Sequence, residues 1–319
     1  MQLEGATIAV TGATGFLGRY LVDTLLRRGA RVIGVVRNPD RVPELRERGV
    51  ELRRADLAER DRLEAGFRGA DAVVANAALL SLRSQRWADY VQTNLDGTVN
   101  VCEAAAAAGV RRIVYVSSVS VYRGRRQSVL DEDHVQWEAG VRPGRLSAYP
   151  LSKALAEQAA FRLARERDLE LTALRPGAIY GAFDGNFMPV FRAVMWPKLT
   201  LYPACFRLPF VYAGDVAEAV ALAIEKPASI GRAYNITGED RSAWDFARAW
   251  RQAGGRSPWL MLPVPFPYRR VYDTARALGE LGWRARPYLD GLRETLAWER
   301  QGLARSKPRL TGSSARPGG

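Results

Sequence analysis

The chain has 319 residues, of which 47% are apolar and 25% charged, and it carries a formal net charge of +13. This balance is typical of a soluble globular protein, and no apolar run reaches the roughly 20 residues that a membrane-spanning helix needs. The first residues, MQLEGATIAV, contain neither a basic leader nor a long apolar core, so we expect no secretory signal.

The cysteines and the basic residues indicate the cellular location and the kind of partner. Cys102 and Cys205 are the only cysteines, too few for a disulfide framework, which favours a reducing, cytoplasmic location. The positive charge comes mostly from arginines that are spread along the whole chain instead of being gathered in one arm. No groove-reading motif accompanies them, so we expect no nucleic-acid partner.

Apolar runs typical of buried strands alternate with helical patterns through the first two thirds of the chain. The predicted strands are 6–11, 31–36, 50–55, 71–77, 111–118, 170–176 and, later, 232–237. The predicted helices are 16–29, 58–69, 87–108, a segment that runs from about 149 to 167, and 211–226. Continuous apolar strands separated by helices indicate right-handed βαβ units. The predicted fold is therefore α/β, a doubly wound, Rossmann-type parallel sheet with helices on both faces.

The pattern changes after about residue 182. Prolines interrupt the segment 183–210, and the region 240–302 combines tryptophans and prolines with short helices. We predict a sheet domain formed by 1–182 plus 211–239, and a smaller, interleaved substrate-binding lobe formed by 183–210 plus 240–302. The basic, Pro/Gly/Ser-rich segment 303–319 is predicted to be a disordered tail.

The stretch TGATGFLG at 11–18 joins the first predicted strand to the first predicted helix. In a doubly wound sheet this turn is where nucleotides bind. Gly12 would permit the tight turn, Gly15 would let backbone N–H groups approach a pyrophosphate, and Gly18 would let the helix pack closely. The spacing G-x-x-G-x-x-G differs from the commonest dinucleotide fingerprint, G-x-G-x-x-G. The residues of this turn predicted to bind a dinucleotide cofactor are Gly12, Thr14, Gly15, Phe16, Leu17 and Gly18.

The ends of the next strands indicate which dinucleotide binds. An acid after the second strand would hydrogen-bond a free ribose 2′-hydroxyl, whereas an arginine would pair with a 2′-phosphate. The sequence there is VIGVVRNPD, with Arg37 directly after the apolar run and Asp40 three residues on. We therefore predict NADP in preference to NAD. Further cofactor contacts are predicted after the third and fourth strands, at Asp56, Leu57, Ala75, Asn76 and Ala77.

Tyr149 and Lys153 stand four residues apart in a predicted helix, so they share one helix face. Pro150 fits only in a first helical turn, which places Tyr149 at the helix entry. A nearby ammonium favours the phenolate, and so lowers the phenol pKa from its ordinary value of about 10. This pairing predicts a general acid/base. The simpler alternative, a packed tyrosine beside a solvated lysine, is disfavoured because lysine is rare in this chain.

Serines follow the fifth predicted strand at 117, 118 and 120, at the end of the sheet where ligands bind. The hydroxyl of one of them could hold a substrate oxygen against Tyr149, although serines after a strand also form turns.

Several motifs occur in a fixed order. They are TGATGFLG (11–18), NAA (76–78), NLDGT (94–98), VSSVSVY (116–122), YPLSK (149–153), RPGAIYG (175–181), PFVYAGDVAEA (209–219) and YNITG (234–238). This ordered set resembles the extended short-chain dehydrogenase/reductase family, which includes the NAD-dependent epimerases and dehydratases. The resemblance runs from about residue 6 to 300.

The resemblance implies a role for individual residues. It implies that Tyr149 is the catalytic acid/base, that Lys153 binds the nicotinamide ribose, and that Ser118 orients the substrate. Asn94 matches the helix asparagine associated with a proton-relay water, and Pro176 and Ala178 would flank the nicotinamide. The family also implies a possible homodimer through the long helices 87–108 and 149–167.

Two departures from the family pattern bear on the substrate. Dehydratases of the family that this chain resembles carry Thr-Asp-Glu at the positions where this chain has Ser118-Val119-Ser120. The acidic residues for eliminating water are therefore absent here. Many nucleotide-sugar epimerases carry an arginine where this chain has Leu208, with Arg207 one place off, which disfavours a nucleotide sugar. The smaller lobe holds aromatic residues that suit a less polar substrate and suit an ordinary core equally well: Phe183, Phe187, Phe191, Trp196 and Tyr202.

These residues predict an NAD(P)-dependent oxidoreductase that moves a hydride between nicotinamide and a secondary alcohol or ketone carbon of a small-molecule substrate. Two alternatives stay open: an epimerase that returns the hydride to the other face of the carbon, and a dinucleotide-sensing binding protein without catalysis. His134, the single histidine, is expected on the surface of a polar loop, 123–146. With two distant cysteines it cannot make a zinc site, so no metal is predicted. A hydrolase elbow, G-x-S-x-G, is absent from the sequence.

Overall fold

The computed structural model of the chain describes residues 1–80, 86–123, 127–144, 146–203, 206–207, 209–266 and 269–306. Its strands are β1 (Thr7–Thr11), β2 (Arg31–Val36), β3 (Glu51–Arg54), β4 (Ala72–Ala75), β5 (Arg112–Val116), β6 (Gln127–Leu130), β7 (Glu170–Pro176), β8 (Ala178–Tyr180), β9 (Leu199–Pro203), β10 (Phe210–Tyr212), β11 (Ala233–Ile236), β12 (Leu260–Val264) and β13 (Arg269–Tyr272). Its helices are α1 (Phe16–Arg27), α2 (Pro43–Glu47), α3 (Arg60–Phe67), α4 (Trp87–Tyr90), α5 (Gly97–Ala107), α6 (Ala148–Glu166), α7 (Phe187–Met195), α8 (Ala213–Glu225), α9 (Ala243–Gln252) and α10 (Tyr288–Ser306).

The order of the central strands follows from their buried apolar runs. Seven strands in the described ranges form one parallel sheet in the order β11-β7-β5-β4-β1-β2-β3. Helices α1 and α8 pack on one face, and α3, α5 and α6 pack on the other. Parallel strands need such covering on both faces because their side chains are apolar in both directions. The structure confirms the predicted doubly wound α/β fold.

The strand order reverses beside β1. The chain runs outward from β1 through β2 to β3, and it then returns to place β4 on the other side of β1. Ligands of such sheets bind in the crevice at this reversal, outside the carboxyl ends of the strands. The glycine-rich turn follows β1 and residues 76–77 follow β4, so both predicted segments flank that crevice.

The later part of the chain packs on the α1 and α8 face of the sheet. One hydrophobic cluster includes Leu21 of α1, Phe191 of α7, Phe246 of α9 and Leu292 of α10. Strands β9 and β12 pair in parallel as a separate two-stranded sheet. The division into a sheet domain and a substrate-binding lobe stays a prediction. None of the helices in the part of the chain that the structure describes is long and apolar enough to cross a membrane.

Three sequence predictions need correction. The segment 123–146 is not entirely loop, because it contains β6, which pairs in parallel with β13. The helix predicted over 87–108 is interrupted by a π-helical turn, Val91–Asp96, between α4 and α5. Helix α10 runs to Ser306 and so extends into the segment 303–319 predicted as a tail. The rest of that segment lies outside the described residues, as do Cys205 and Leu208.

Candidate active site

The glycine-rich turn has little room for side chains. Gly12 has a φ of +67°, which favours glycine, and a Cβ there would lie 3.0 Å from the Cα of Ala77. A Cβ on Gly18 would lie 2.1 Å from the carbonyl oxygen of Gly12. Gly15 precedes α1 in an extended conformation, and no side chain caps the helix. The uncapped N–H groups of α1 therefore face a cradle of bare backbone, which fits a pyrophosphate.

Side chains from the neighbouring strands brace this turn. The hydroxyl of Thr11 accepts hydrogen bonds from the backbone N–H groups of Asn76 (3.1 Å) and Ala77 (3.2 Å). The side-chain amide of Asn76 donates to the carbonyl oxygen of Gly12 at 3.3 Å. The ends of β1 and β4 are thus fixed to each other beside the crevice. Ala75, the last residue of β4, is buried directly below them.

The residues predicted to contact the adenosine half lie at the same edge of the sheet. Arg37 is exposed directly after β2, and no carboxylate pairs with it among the described residues. Asp40 instead lies 3.6 Å from Arg46. Asp56 accepts a hydrogen bond from the backbone of Ala58 at 3.0 Å. The carbonyl oxygen of Leu57 accepts one from Asn100 at 2.8 Å.

Tyr149 lies half-buried in the first turn of α6, and the side chain of Ser118, which follows β5, lies near its phenol. Burial raises the pKa of the Tyr149 phenol to about 12, and the nearby Ser118 hydroxyl opposes this rise. The structure therefore brings together the two hydroxyls that the sequence predicted to face a substrate oxygen. The pKa shift has the opposite direction to the one predicted from the neighbouring lysine.

Lys153 lies one turn further along α6 and is 2% exposed. Its Nζ donates to the carbonyl oxygen of Val116 at 2.8 Å and lies 4.4 Å from the centre of the Tyr115 ring. Burial lowers the pKa of Lys153 to about 7, and the carboxylate of Glu157 opposes this change. The ammonium is thus held against β5, and the groups that set the Tyr149 pKa do not include it.

Asn94 lies in the π-helical turn and is 1% exposed. Its amide oxygen accepts from the N–H of Leu79 (2.7 Å), and its amide nitrogen donates to the carbonyl of Leu79 (3.1 Å) and to Ser152 (2.9 Å). The hydroxyl of Ser152 in turn donates to the carbonyl oxygen of Tyr149 at 2.9 Å. Asn94 therefore connects the chain after β4 to the first turn of α6. Its role in a proton relay stays a prediction.

Sequence reasoning missed a buried polar network beside this site. Arg175 of β7 and Glu157 of α6 form an ion pair with an N–O distance of 2.5 Å, and both side chains are at most 3% exposed. Glu157 also accepts from Ser117 at 2.5 Å, and Arg175 donates to the hydroxyl of Tyr122 at 2.7 Å. Two signals in the sequence could have found it. Glu157 follows Lys153 by one helical turn, and Arg175 is a charged residue within the buried part of β7.

The remaining predicted residues surround the same edge of the sheet. Pro176 ends β7, and Ala178 begins β8 after the single residue Gly177. The hydroxyl of Ser120 is buried and has no hydrogen-bond partner among the residues described. An unpaired buried hydroxyl costs free energy, so it marks a place where a ligand atom can complete the bonding.

His134 is not simply a surface residue. It is half-buried, and its ring lies 6.4 Å from the ring of Tyr122. Cys102 is a buried free thiol in α5. Across the ranges described, no group of three or more metal-ligating side chains converges. A cavity of about 530 Å³ lies at the amino ends of the strands, lined in part by Arg111 and Glu170, and so at the far end of the sheet from Tyr149.

Comparisons with known proteins agree with this geometry. The model of the NAD dependent epimerase/dehydratase family matches residues 8–237. Dihydroflavonol 4-reductase of Zea mays is 29% identical over 307 residues, which cover 89% of this chain and 85% of that protein. Sterol demethylase protein B of Methylococcus capsulatus is 32% identical over 238 residues, 73% of this chain and 70% of that protein.

A solved structure extends the similarity to the fold. MoeE5 in complex with UDP-glucose and NAD is 28% identical to this chain, with a TM-score of 0.75, and the match covers 93% of this chain and 100% of that one. The glycine cradle and the placement of Ser118 beside Tyr149 agree with these similarities, and the family model confirms the family indicated by the ordered motifs. The chain belongs to the NAD dependent epimerase/dehydratase family.

Proposed function

We propose that this chain is an NADP(H)-preferring reductase of hydrophobic ketones, working also in reverse on the secondary alcohols. The observation that carries the proposal is the placement of Ser118 beside Tyr149 at the carboxyl edge of the sheet. Lys153 lies one helical turn away, and the glycine cradle lies at the adjacent reversal of strand order.

The proposed cofactor fits the residues present. A cradle that a Cβ on Gly12 or Gly18 would fill, at the uncapped N-terminus of α1, suits a pyrophosphate. Arg37 supports NADP over NAD because it is an exposed cation with no carboxylate pairing it in the described segments. Its guanidinium would pair with a ribose 2′-phosphate. Lys153 would donate to the hydroxyls of the nicotinamide ribose.

The proposed reaction needs one proton and one hydride. When bound, nicotinamide supplies the hydride to the carbonyl carbon. Tyr149 donates its phenolic proton to the carbonyl oxygen, and Ser118 holds that oxygen by a hydrogen bond, so the ketone becomes an alcohol. Tyr149, whose pKa burial raises, is protonated at neutral pH and so carries the proton that this direction needs. In the reverse direction the same oxygen returns its proton to Tyr149.

A hydrophobic ketone is supported by two kinds of observation. Relatives that cover most of this chain are named for a dihydroflavonol and for a sterol, both built on fused rings that are less polar than a sugar. The lobe beyond β8 is rich in aromatic side chains, among them Phe187, Phe191 and Phe210. Several of these rings pack on one another, so they also form core.

A sugar epimerase is the second candidate, and the similarity to MoeE5 with UDP-glucose and NAD favours it. The two functions differ in the fate of the cofactor. A reductase consumes NADPH in step with ketone, whereas an epimerase changes substrate stereochemistry and leaves the nicotinamide pool unchanged.

The test is the substitution Tyr149→Phe, assayed by nicotinamide absorbance with a flavanone, a steroid ketone and UDP-glucose as probes. We expect the unmodified protein to oxidise NADPH with a ketone probe. The variant should lose roughly 10²–10⁴-fold in kcat, because the proton donor is gone. The dissociation constant for NADPH should change less than about twofold.

Tyr234→Phe provides the control, because its hydroxyl bonds to Glu280, and its kcat should stay near that of the unmodified protein. Near-normal turnover in Tyr149→Phe would contradict the role of Tyr149 as the proton donor. Conversion of UDP-glucose without net NADPH oxidation would instead establish the epimerase.

A further inference from the structure

The two-stranded sheet β9–β12 exposes one apolar face. Strand residues alternate between faces, and the register pairs Leu260 with Leu199 and Leu262 with Leu201. Five side chains form this surface, here called the apolar face: Leu199 (53% exposed), Leu201 (62%), Leu260 (45%), Leu262 (43%) and Val264 (37%). The opposite face buries Tyr202, whose hydroxyl donates to the carbonyl of Ala243.

Large aromatic side chains extend the apolar face at its ends. Trp196 precedes β9 and is 64% exposed, and Trp259 precedes β12 and is 89% exposed. Phe266, just after β12, is 52% exposed. Soluble proteins seldom expose so many large apolar side chains together, and such patches usually mark an interaction surface.

The two segments that carry this face contribute only basic charges. The chain contains no aspartate or glutamate in 185–214 or in 246–272, the two segments that carry the face. The same segments contain eight basic residues: Arg192, Lys198, Arg207, Arg248, Arg251, Arg256, Arg269 and Arg270. Of these, Arg192 pairs with Glu299, and Arg207 and Arg269 pair with Asp240. Lys198 and Arg256 are exposed, and no described carboxylate pairs with either of them. The guanidinium of Arg256 lies 3.5 Å from the centre of the Trp196 ring.

We propose that the apolar face docks on the surface of an anionic lipid bilayer. Leucine side chains would enter the acyl boundary, tryptophans would lie at the level of the headgroups, and Lys198 and Arg256 would reach lipid phosphates. The binding is peripheral and goes beyond the proposed reaction. A second copy of this chain fits less well, because two such faces would bring the exposed cations Lys198 and Arg256 of both copies together.

The experiment is flotation of the full-length protein with phosphatidylcholine vesicles that contain or lack phosphatidylglycerol. We expect binding to the anionic vesicles, weakened by salt and weaker by roughly tenfold or more on phosphatidylcholine alone. The double variant K198Q/R256Q should lose about tenfold or more on anionic vesicles, since each cation near the surface contributes. The double variant L201Q/W259Q should lose about tenfold or more on both kinds of vesicle.

Matched controls separate this face from general surface effects. Ile230→Gln removes an exposed apolar side chain at the other end of the sheet, and its binding should be unchanged. Each variant should keep the thermal transition of the unmodified protein, since all these side chains are exposed.

Three results would overturn the proposal. One is binding by L201Q/W259Q equal to that of the unmodified protein. Another is binding that survives in the face variants and is lost on neutralising Lys307 and Arg309, which would assign it to the basic tail. The third is absence of vesicle binding together with a dimer that dissociates on Trp259→Gln.

Discussion

The ammonium of Lys153 donates to the carbonyl oxygen of Val116 and lies over the ring of Tyr115. Neither partner carries a formal charge, so the cost of burying the ammonium is only partly offset, and the Lys153 pKa falls to about 7. The carboxylate of Glu157 limits this fall. A buried lysine of this kind changes its charge near neutral pH.

This shift predicts how cofactor affinity depends on pH. If the charged form of Lys153 binds the ribose hydroxyls, affinity is full below about pH 7 and falls as pH rises through that value. We expect the dissociation constant for NADPH, measured by fluorescence titration, to rise by up to about tenfold per pH unit above it. Lys153→Met should bind weakly with no such slope. A constant affinity from neutral to alkaline pH in the unmodified protein would contradict this role.

Arg37 predicts the discrimination between the two dinucleotides. Removing a guanidinium that pairs with a 2′-phosphate should cost about 1.5–3 kcal/mol, or about 10- to 150-fold in the dissociation constant for NADPH. Affinity for NADH should change little in Arg37→Ala. Arg31→Ala is the matched control, because Arg31 lies at the opposite end of the same strand. An equal loss for both cofactors, or for both variants, would refute the assignment.

The sequence carried much of the information at this scale. The spacing of Tyr149 and Lys153 placed both on one helix face, and the structure bears out that arrangement. The direction of the Tyr149 pKa could not be predicted, because it depends on burial by elements distant in the chain. The partners of Asn94 were hidden for the same reason, since Leu79 and Ser152 approach it only in the folded chain.

Among the elements, the contact between α1 and the turn before it leaves no space at Gly18. A Cβ there would lie 2.1 Å from the carbonyl oxygen of Gly12 and 2.7 Å from the backbone of Ala13. Backbone atoms cannot rotate away as a flexible side chain can. The helix can therefore lie this close to the turn only because residue 18 has no Cβ.

Gly18→Ala should move α1 away from the turn. We expect the free energy of unfolding, measured with urea, to fall by about 1–3 kcal/mol, with a matching loss of NADPH affinity. Gly279→Ala is the control, since Gly279 lies in the π-helical turn Ala277–Leu281 and a Cβ there meets nothing within 4 Å. That variant should be neutral or slightly more stable. Equal stability of the two variants would contradict the steric argument.

The π-helical turn Val91–Asp96 could not be predicted from the helical pattern of 87–108. Neither proline nor glycine marks its start, and apolar spacing alone does not distinguish one extra residue in a turn. Its explanation is tertiary. The turn presents Asn94 to both backbone groups of Leu79 and to Ser152, and those three hydrogen bonds offset the poorer helix geometry.

In the molecule as a whole, the Glu157–Arg175 pair connects elements that are far apart in the chain. Glu157 accepts from Ser117 beside β5, and Arg175 donates to the carbonyl oxygen of Glu132 at 2.8 Å. Tyr122, which Arg175 also contacts, donates to Asn235 of β11 at 2.6 Å. The network therefore joins the residues beside Ser118 to the last strand of the sheet.

Glu157→Gln should leave the buried Arg175 guanidinium without its counter-charge. We expect a loss of about 3–5 kcal/mol in the free energy of unfolding, because an unpaired charge then stays in the interior. Glu64→Gln removes a surface partner of Arg68 at 2.9 Å and should cost less than about 1 kcal/mol. A loss for Glu157→Gln no larger than that of Glu64→Gln, in thermal or urea unfolding, would refute this account.

The overall topology could be predicted from the sequence, whereas the pairing of some individual strands could not. Alternating apolar strands and helices predicted the parallel sheet, and the ordered motifs predicted the family. The pairing of β6 with β13 was not predictable, because it joins residues 127–130 to 269–272 and neither segment has a clear alternating pattern. Pairs so distant in sequence leave little trace in either segment alone.

The position of β11 has a consequence for synthesis of the chain. β11 pairs with β7, but residues 177–232 must be made before it exists. At roughly 5–20 residues per second, the ribosome leaves the free edge of β7 open for several seconds. A nascent chain with such an edge can pair with another strand, so this interval is when the protein most needs a chaperone.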